Sequence, residues 1–477
     1  HMVDQQLFGD TIGGHMIQNV FWHAANCFLV YRLLLRLGIS RMLSISLTLI
    51  FACHPLNVEA VAWLSQRKSQ ISTYMLLCTV LVYFDWRESR RMTSLILMVV
   101  AYAISLMAKA MGVSLPFILI CYEVLMFWNA RGNLASVINF GVLRTFGIDV
   151  LKRIFPLVVA ATVIAVATVL AQSHAGAVAS LETIPILSRL GIAISAFAIY
   201  IRKFFWPAEL CIFYPIVSLS PVVVVAGCLL FVSIPLWMLA QGRRLVLMMF
   251  GWCWFILSLL PVVGLVQVGS QSHADRYMYV PMIGLLIALG ALFQWIVIPR
   301  CRSSRLAFAG LACAFALGMG SHAYPYLMYW KNAETAYRRS LDVGGISFSM
   351  LVNLASSLIN LNYFKSAEPY ADLAAELFPD RPLAVGNMAT LKALLGKPKE
   401  AEAGYQKAIE LDPDNPEYYY MLALILLRED RNDEAESLLQ KALRILPPEG
   451  DWRTGRRLVR DVLLKKIPLS SLKLEKV

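Results

Sequence analysis

The sequence predicts an all-α protein in two parts, a polytopic transmembrane helical domain followed by an α-solenoid of helical repeats. Three observations support this prediction. The 477-residue chain is 58% hydrophobic with a mean hydropathy of +0.62, its composition changes near residue 330, and a 34-residue repeat follows that point. We therefore expect a membrane domain at 1–330, repeats at 331–448 and a basic capping helix or tail at 449–477.

Carboxylates mark the change in composition. Only ten of the 31 Asp and Glu residues precede residue 330, and because 22 Lys and Arg accompany them, the net charge of +12 belongs to the first part. A basic total can attract nucleic acid, but these arginines cluster between apolar segments, so we expect no nucleic-acid partner. The nine cysteines form no CxxC pair and predict neither a disulfide framework nor a metal site.

Apolar segments long enough to cross a bilayer of roughly 30 Å recur along the first part. A further apolar stretch at 186–206 contains three basic residues, and we interpret it as an interfacial or re-entrant helix. The ten expected spans lie near 17–38, 42–60, 71–86, 92–108, 111–128, 154–171, 221–240, 245–266, 277–298 and 306–327.

The distribution of basic residues predicts the orientation. Alternate loops, among them 87–91, 131–153 and 243–244, hold most of the Arg and Lys of this part, and the positive-inside rule places these loops in the cytoplasm. Most of the scarce acids then fall on the outer face. The repeats follow an outward final span, so we expect them outside the cytoplasm as well.

Small residues and prolines define the repeat. Helix pairs of this kind cannot bury their apolar faces alone, so neighbours stack into a solenoid. The residues that recur at a spacing of 34 are Pro379, Pro413 and Pro447, Ala367, Ala401 and Ala435, and Ala374, Ala408 and Ala442. This pattern resembles the tetratricopeptide repeat, whose surface usually binds a peptide or another protein; the alternative is that the repeats only cap the membrane domain.

Four polar clusters fall on the expected outer face. Several Arg and Lys beside lipid suit a phosphate group, and a nearby carboxylate suits general-base work on a hydroxyl. The alternative is that these aromatic and basic residues are interfacial anchors. The chain has no Walker loop, GxGxxG or HExxH motif, so a transferred group should come from a lipid-borne donor. The clusters are HPLNVEAVAWLSQRKSQ at 54–70, Lys109, RKFFWPAELCIFYP at 202–215 and GSQSHADRYMYVP at 269–281.

These stretches, with LMAKAM–SLPF, the VDQQLFG opening and GLVQVGSQSHADRYMYVPMIG, together resemble one family. It is the bacterial multispanning tetratricopeptide proteins related to the transmembrane-and-tetratricopeptide O-mannosyltransferases. The resemblance implies a GT-C-like fold in the bacterial inner membrane. It also implies protein glycosylation, in which a sugar passes from a polyprenyl-phosphate carrier to a protein or glycan acceptor outside the cytoplasm. Such enzymes carry their catalytic acid in the first outer loop, and Asp4 is our candidate base there.

Candidate roles follow from this resemblance and from the clusters. We assign Asp4, Asp275 and Glu59 as the catalytic carboxylates, the last two orienting the cations. The residues expected to bind the carrier phosphate are Arg67, Lys68, Arg276 and Lys109, and those expected to line the substrate site are His54, Tyr277 and Lys203.

The expected partners are membrane lipid, the polyprenyl-phosphate sugar and a protein or peptide on the repeats, and a divalent metal is left open. A non-catalytic membrane-anchored scaffold is the alternative function. A transporter is disfavoured because no span carries a charge near its middle.

Overall fold

Helices make up nearly all the regular structure of the computed structural model, which describes residues 6, 8–9, 12–131, 140–174, 185–216, 220–265, 269–297 and 302–446. The chain divides into two compact units, His1–Lys331 and Asn332–Val477, which we describe separately. In the described residues the strands are limited to one antiparallel pair, β1 (Tyr214–Pro215) and β2 (Gln271–His273).

The first unit is built from helices that follow the apolar segments of the sequence. They are α1 (Ile12–Arg36), α2 (Arg41–Cys53), α3 (Val58–Ala62), α4 (Arg67–Ser89), α5 (Met92–Ala108), α6 (Leu115–Arg131), α7 (Phe140–His174), α8 (Ile186–Phe205), α9 (Pro221–Ala240), α10 (Val246–Leu259), α11 (Pro281–Val297) and α12 (Arg302–Met328).

Several of these helices are long and apolar enough to cross a membrane. By length and composition, four stretches in the described residues meet that requirement, and a fifth does so if the bent pair Arg41–Cys53 and Pro55–Ala62 counts as one broken span. Large apolar side chains along α7 and α9, such as Val163 and Leu229, are exposed. Exposed apolar surfaces of this kind mark contact with lipid or with another protein. The four stretches are Ala110–Arg131, Arg144–Ala171, Pro221–Ala240 and Gly242–Leu259.

The helix is interrupted within the expected span 42–60. Proline lacks a backbone N–H, so Pro55 cannot continue α2 and instead begins a 3-10 turn, Pro55–Asn57, that leads into α3. His54 keeps an extended backbone, and its Nδ1 accepts a hydrogen bond from the N–H of Leu56 at 3.2 Å. The two segments meet at 53°, and the second one carries Glu59.

Glycines allow α10 and α11 to touch backbone to backbone. A Cβ atom at Gly251 would lie 2.5 Å from Gly284 O, and one at Gly284 would lie 2.5 Å from Gly251 O. No side chain fits between these helices at the crossing, so α10 and α11 pack in direct backbone contact there. The 3-10 turn Asp275–Met278 lies between β2 and α11.

The second unit consists of tetratricopeptide-like helical repeats, as the 34-residue spacing predicts. The alanines of the repeat are completely or almost completely buried where helices cross, and Gly404 of one helix faces Ala389 of another so closely that a Cβ there would lie 2.8 Å from the Ala389 Cβ. Pro447 and the basic segment 449–477 lie outside the described residues. The helices are α13 (Ala333–Gly344), α14 (Phe348–Asn360), α15 (Phe364–Leu377), α16 (Pro382–Leu394), α17 (Pro398–Leu411), α18 (Pro416–Arg428) and α19 (Asn432–Ile445).

Candidate functional site

Glu59 and Arg276 form the central ion pair of the candidate site. Glu59 is fully buried on α3, and both of its oxygens are used: Oε2 accepts from the Arg276 backbone N–H at 2.7 Å, and Oε1 accepts from the Arg276 guanidinium at 2.5 Å. The guanidinium also donates to Gln271 Oε1 at 3.2 Å. Glu59 therefore fixes the position of Arg276, and each of its two oxygens already accepts one hydrogen bond.

Two aromatic rings flank the same guanidinium. Its Cζ atom lies 5.3 Å from the centre of the Trp63 ring and 5.0 Å from that of Tyr277. The Tyr277 hydroxyl accepts a hydrogen bond from Gln271 Nε2 at 2.7 Å, which holds this ring in place. Cation–π contact of this kind suits arginine better than lysine because the guanidinium is planar and weakly hydrated.

Lys109 approaches the Tyr277 ring as a second cation. It caps the C-terminal end of α5, and its Nζ lies 5.7 Å from the ring centre while donating to Ser69 Oγ at 2.9 Å. Burial, together with the positive charge of Arg276, lowers the pKa of Lys109 to about 7; Glu59 opposes this shift and Lys68 adds to it. The structure therefore brings Glu59, Trp63, Lys109, Arg276 and Tyr277 together, and we call this group the Tyr277 cluster.

The side chains of the adjacent residues Arg67 and Lys68 point in different directions at the start of α4. Successive residues of a helix point about 100° apart, so the two side chains cannot share a face. Arg67 is buried and donates to Asn19 Oδ1 and to the backbone carbonyl of His15, each at 2.8 Å, which ties α4 to α1. Lys68 is exposed, on the side where its charge acts on Lys109.

Asp275 belongs to a second buried group, next to the cluster in sequence. Lys203 Nζ donates to Asp275 Oδ1 at 2.8 Å, the Tyr214 hydroxyl donates to Oδ2 at 2.6 Å, and Lys203 lies 3.5 Å above the Tyr214 ring. Burial, followed by the charge of Asp275, raises the pKa of Tyr214 well above its usual value, so this hydroxyl stays a donor. Asp275 and Lys203 therefore connect the 269–280 loop to α8.

His273 completes this buried group on β2. Its ring stacks on Tyr214 with centroids 4.1 Å apart, and Nδ1 lies 2.9 Å from Ser272 Oγ. Burial, followed by the charges of Lys203 and Arg202, lowers the pKa of His273 well below its usual value. The imidazole is therefore neutral and contributes packing to the group.

His54 lies in a buried contact between the ends of α2 and α8. Its Nε2 donates to the backbone carbonyl of Phe204 at 2.9 Å, while Nδ1 accepts from Leu56, so both ring nitrogens are engaged. The ring stacks on Phe204 with centroids 5.2 Å apart and is almost completely buried. This geometry links the end of α2 to the end of α8, and it leaves no polar atom of His54 facing open space.

Of the sequence-based candidates, Glu59, Lys109, Arg276 and Tyr277 meet in one cluster. Sequence reasoning did not assign four further residues to the site. They are aromatic and polar members of the quoted motifs: Trp63, Ser69, Tyr214 and Gln271. Asp4 lies outside the described residues. Within the described part of the chain, no group of three or more His, Cys, Asp or Glu side chains could hold a metal ion.

Comparison with known proteins identifies the repeats. Residues 388–449 match the family model of the tetratricopeptide repeat. No curated protein matches the chain. The match establishes tetratricopeptide repeats in the second unit, and such repeats indicate interaction with another protein.

Three solved structures are similar to part of the chain. The Yersinia enterocolitica type III secretion translocator chaperone SycD is 17% identical, with 28% of this chain and 97% of that chain covered and a TM-score of 0.24. YrrB, a tetratricopeptide protein with an unusual peptide-binding site, is 21% identical over 35% of this chain and 80% of its own, with a TM-score of 0.25. The MamA RS-1 ArsTM double mutant is 20% identical over 33% of this chain and 83% of its own, with a TM-score of 0.23.

Proposed function

We propose that the protein is a membrane glycosyltransferase with a GT-C-like fold over residues 1–330. It takes a sugar from a polyprenyl-phosphate carrier and transfers it to a protein or glycan acceptor outside the cytoplasm. The observation that supports this best is the placement of Lys109 and Arg276 on one ring, that of Tyr277. Two cations on an aromatic surface, in a unit with helices apolar enough for a bilayer, suit the phosphate of a lipid carrier.

The buried acids of the site act as positioning residues in this proposal. Glu59 holds Arg276 through two hydrogen bonds, and Asp275 holds Lys203 and Tyr214, so all four carboxylate oxygens already have partners. A general base must reach the acceptor hydroxyl. Both acids are fully buried and held in ion pairs, so our candidate base is Asp4, from the sequence.

Arg276 and Lys109 both bind the phosphate of the carrier. Arg276 is pre-oriented by Glu59, Gln271 and two rings, so little conformational entropy is lost when it binds a phosphate oxygen. Lys109 adds a second positive charge from α5, and exposed Lys68 adds a third at the edge. The repeats at 331–448 bind the acceptor or a protein partner.

Transfer from a defined donor tests the proposal. The full-length protein is placed in vesicles with radiolabelled polyprenyl-phosphate mannose. Acceptor proteins are added from the cells in which the protein occurs naturally. We expect transfer by the natural sequence and a loss of at least about 100-fold with Arg276→Ala, since a charge-assisted contact to phosphate is removed. Arg202→Ala is the matched control, because this exposed arginine forms its ion pair with Glu209, which is exposed as well. Absence of transfer, or equal losses for both variants, would overturn the proposal.

A non-catalytic membrane-anchored scaffold is the second candidate function. The tetratricopeptide match at 388–449 favours it, as does the full use of Glu59 and Asp275 in ion pairs. A scaffold predicts that Arg276→Ala and Lys109→Ala leave the yield of co-purified partner unchanged while substitutions in the repeats abolish it. The transferase predicts loss of product from the two cation variants even where partner binding persists.

A further inference from the structure

A groove on the second unit combines an apolar floor with an acidic rim. It lies between α17 and α19, above α18, and has a volume of about 630 Å³. Tyr419, Leu422 and Leu426 form the floor, with Ile409 and Leu438 on its two sides. A groove of this volume on a repeat protein has room for several side chains of a bound segment.

The rim of this acidic groove carries a net negative charge. Its charged residues are Glu402, Glu410, Asp433, Glu434 and Lys441. Arg431 already binds Glu402 at 2.8 Å and Glu434 at 2.7 Å. Glu410 and Asp433 are exposed and form no ion pair within the described residues. These two carboxylates are therefore the groups available to a basic ligand.

The chain itself contains a segment of matching chemistry. Residues 452–466, WRTGRRLVRDVLLKK, carry six Lys and Arg against one Asp, with Trp, Leu and Val between them. The segment begins six residues after Leu446, and α19, which forms one wall of the groove, ends at Ile445. A segment attached so close to a complementary surface has a high effective concentration there.

We propose that the acidic groove binds the chain's own basic segment 452–466. Apolar side chains of the segment cover Tyr419, Leu422 and Leu426, and its arginines approach Glu410 and Asp433. The bound segment excludes other basic peptides from the groove, so an external partner must displace it. This inference does not depend on transferase activity, because it concerns only the repeats and the residues that follow them.

Competition with a labelled peptide tests the inference. The full-length chain and a chain ending at Pro448 are purified in detergent, and binding of fluorescent peptide 452–466 is measured by anisotropy. We expect saturable binding to the shortened chain and at least about tenfold weaker binding to the full-length chain, whose own segment competes. High salt weakens the binding, because exposed charges are screened.

Charge substitutions assign the binding to the groove. In the shortened chain, Glu410→Lys with Asp433→Lys is expected to reduce peptide affinity at least about tenfold. Glu436→Lys is the control, since Glu436 lies on α19 with Asp433 and does not line the groove. In the full-length chain, Arg456→Glu with Arg457→Glu is expected to restore peptide binding, which tests the inference without shortening the chain.

Three results would overturn the inference. Failure of the shortened chain to bind the peptide saturably would show that the groove has no affinity for this segment. Equal binding to the full-length and shortened chains would show that the groove is open to a basic peptide from another protein. Occupancy that rises with protein concentration would assign the segment to a second copy of the chain.

Discussion

Lys109 and Arg276 lie against the same aromatic ring, with Lys109 Nζ 5.7 Å and Arg276 Cζ 5.0 Å from the centre of Tyr277. Like charges this close repel each other, and their mutual effect contributes to the lowered pKa of Lys109. Glu59 offsets only part of the repulsion. It forms a direct ion pair with Arg276, whereas its negative charge acts on Lys109 from a distance. An anion placed between the two cations would relieve the remainder.

Carrier binding is expected to depend on pH through Lys109. Its pKa is lowered to about 7, so the ammonium is present below that pH and is lost as the pH rises through it. Affinity for a polyprenyl-phosphate sugar should therefore fall between about pH 6 and about pH 8, because the phosphodiester keeps its charge across this range. Lys109→Arg keeps the cation charged and should remove this dependence. A binding titration at several pH values measures both proteins, and identical pH profiles would contradict the prediction.

Removing the charge of Glu59 is expected to destabilise the first unit. Glu59→Gln leaves a largely buried arginine without its carboxylate, which typically costs about 3–5 kcal/mol in the free energy of unfolding. Thermal unfolding of the full-length protein in detergent measures the change. The matched control is Glu209→Gln, which removes an exposed partner of Arg202 and should cost less than about 1 kcal/mol. Similar unfolding temperatures for the two variants would show that the buried pair does not stabilise the fold.

The sequence predicted the elements of this protein better than the pairing of its side chains. The 34-residue spacing is local information, and it correctly predicted the tetratricopeptide-like repeats, because each alanine lies at the same helix crossing in every copy. The partners Glu59 and Arg276 are 217 positions apart, and no periodicity connects them. Arg67 and Lys68 show a second limit. The sequence predicts the same role for these two neighbours, but their side chains point in different directions because a helix begins at Arg67.

Close packing at Gly404 gives a prediction for the repeats. Gly404→Val places a branched side chain where even a Cβ lies 2.8 Å from Ala389, so α16 and α17 must move apart. Overpacking of this kind typically costs about 1–3 kcal/mol. Ala403→Val is the matched control, because Ala403 is exposed on the same helix. Amide hydrogen exchange of the full-length protein reports the repeats separately, and we expect faster exchange in α16 and α17 for Gly404→Val alone.

Protease access tests the proposed orientation of the repeats. A tag fused after Val477 is expected to be digested when protease is added to spheroplasts and protected in inside-out vesicles, because the final span leads outward in our assignment. A cytoplasmic reporter domain, protected in spheroplasts, serves as the control for membrane integrity. The reverse pattern for the tag would place the repeats in the cytoplasm, and with them the acceptor surface of the proposed transferase.

Asp275 and Arg276 are consecutive residues that attach to different parts of the first unit, the former to Lys203 on α8 and the latter to Glu59 on α3. A single peptide bond therefore joins two ion pairs that would otherwise be independent. A ligand that draws the guanidinium toward itself also pulls on the neighbouring carboxylate, and through it on α8. Binding at the Tyr277 cluster is therefore expected to change the position of α8 as well.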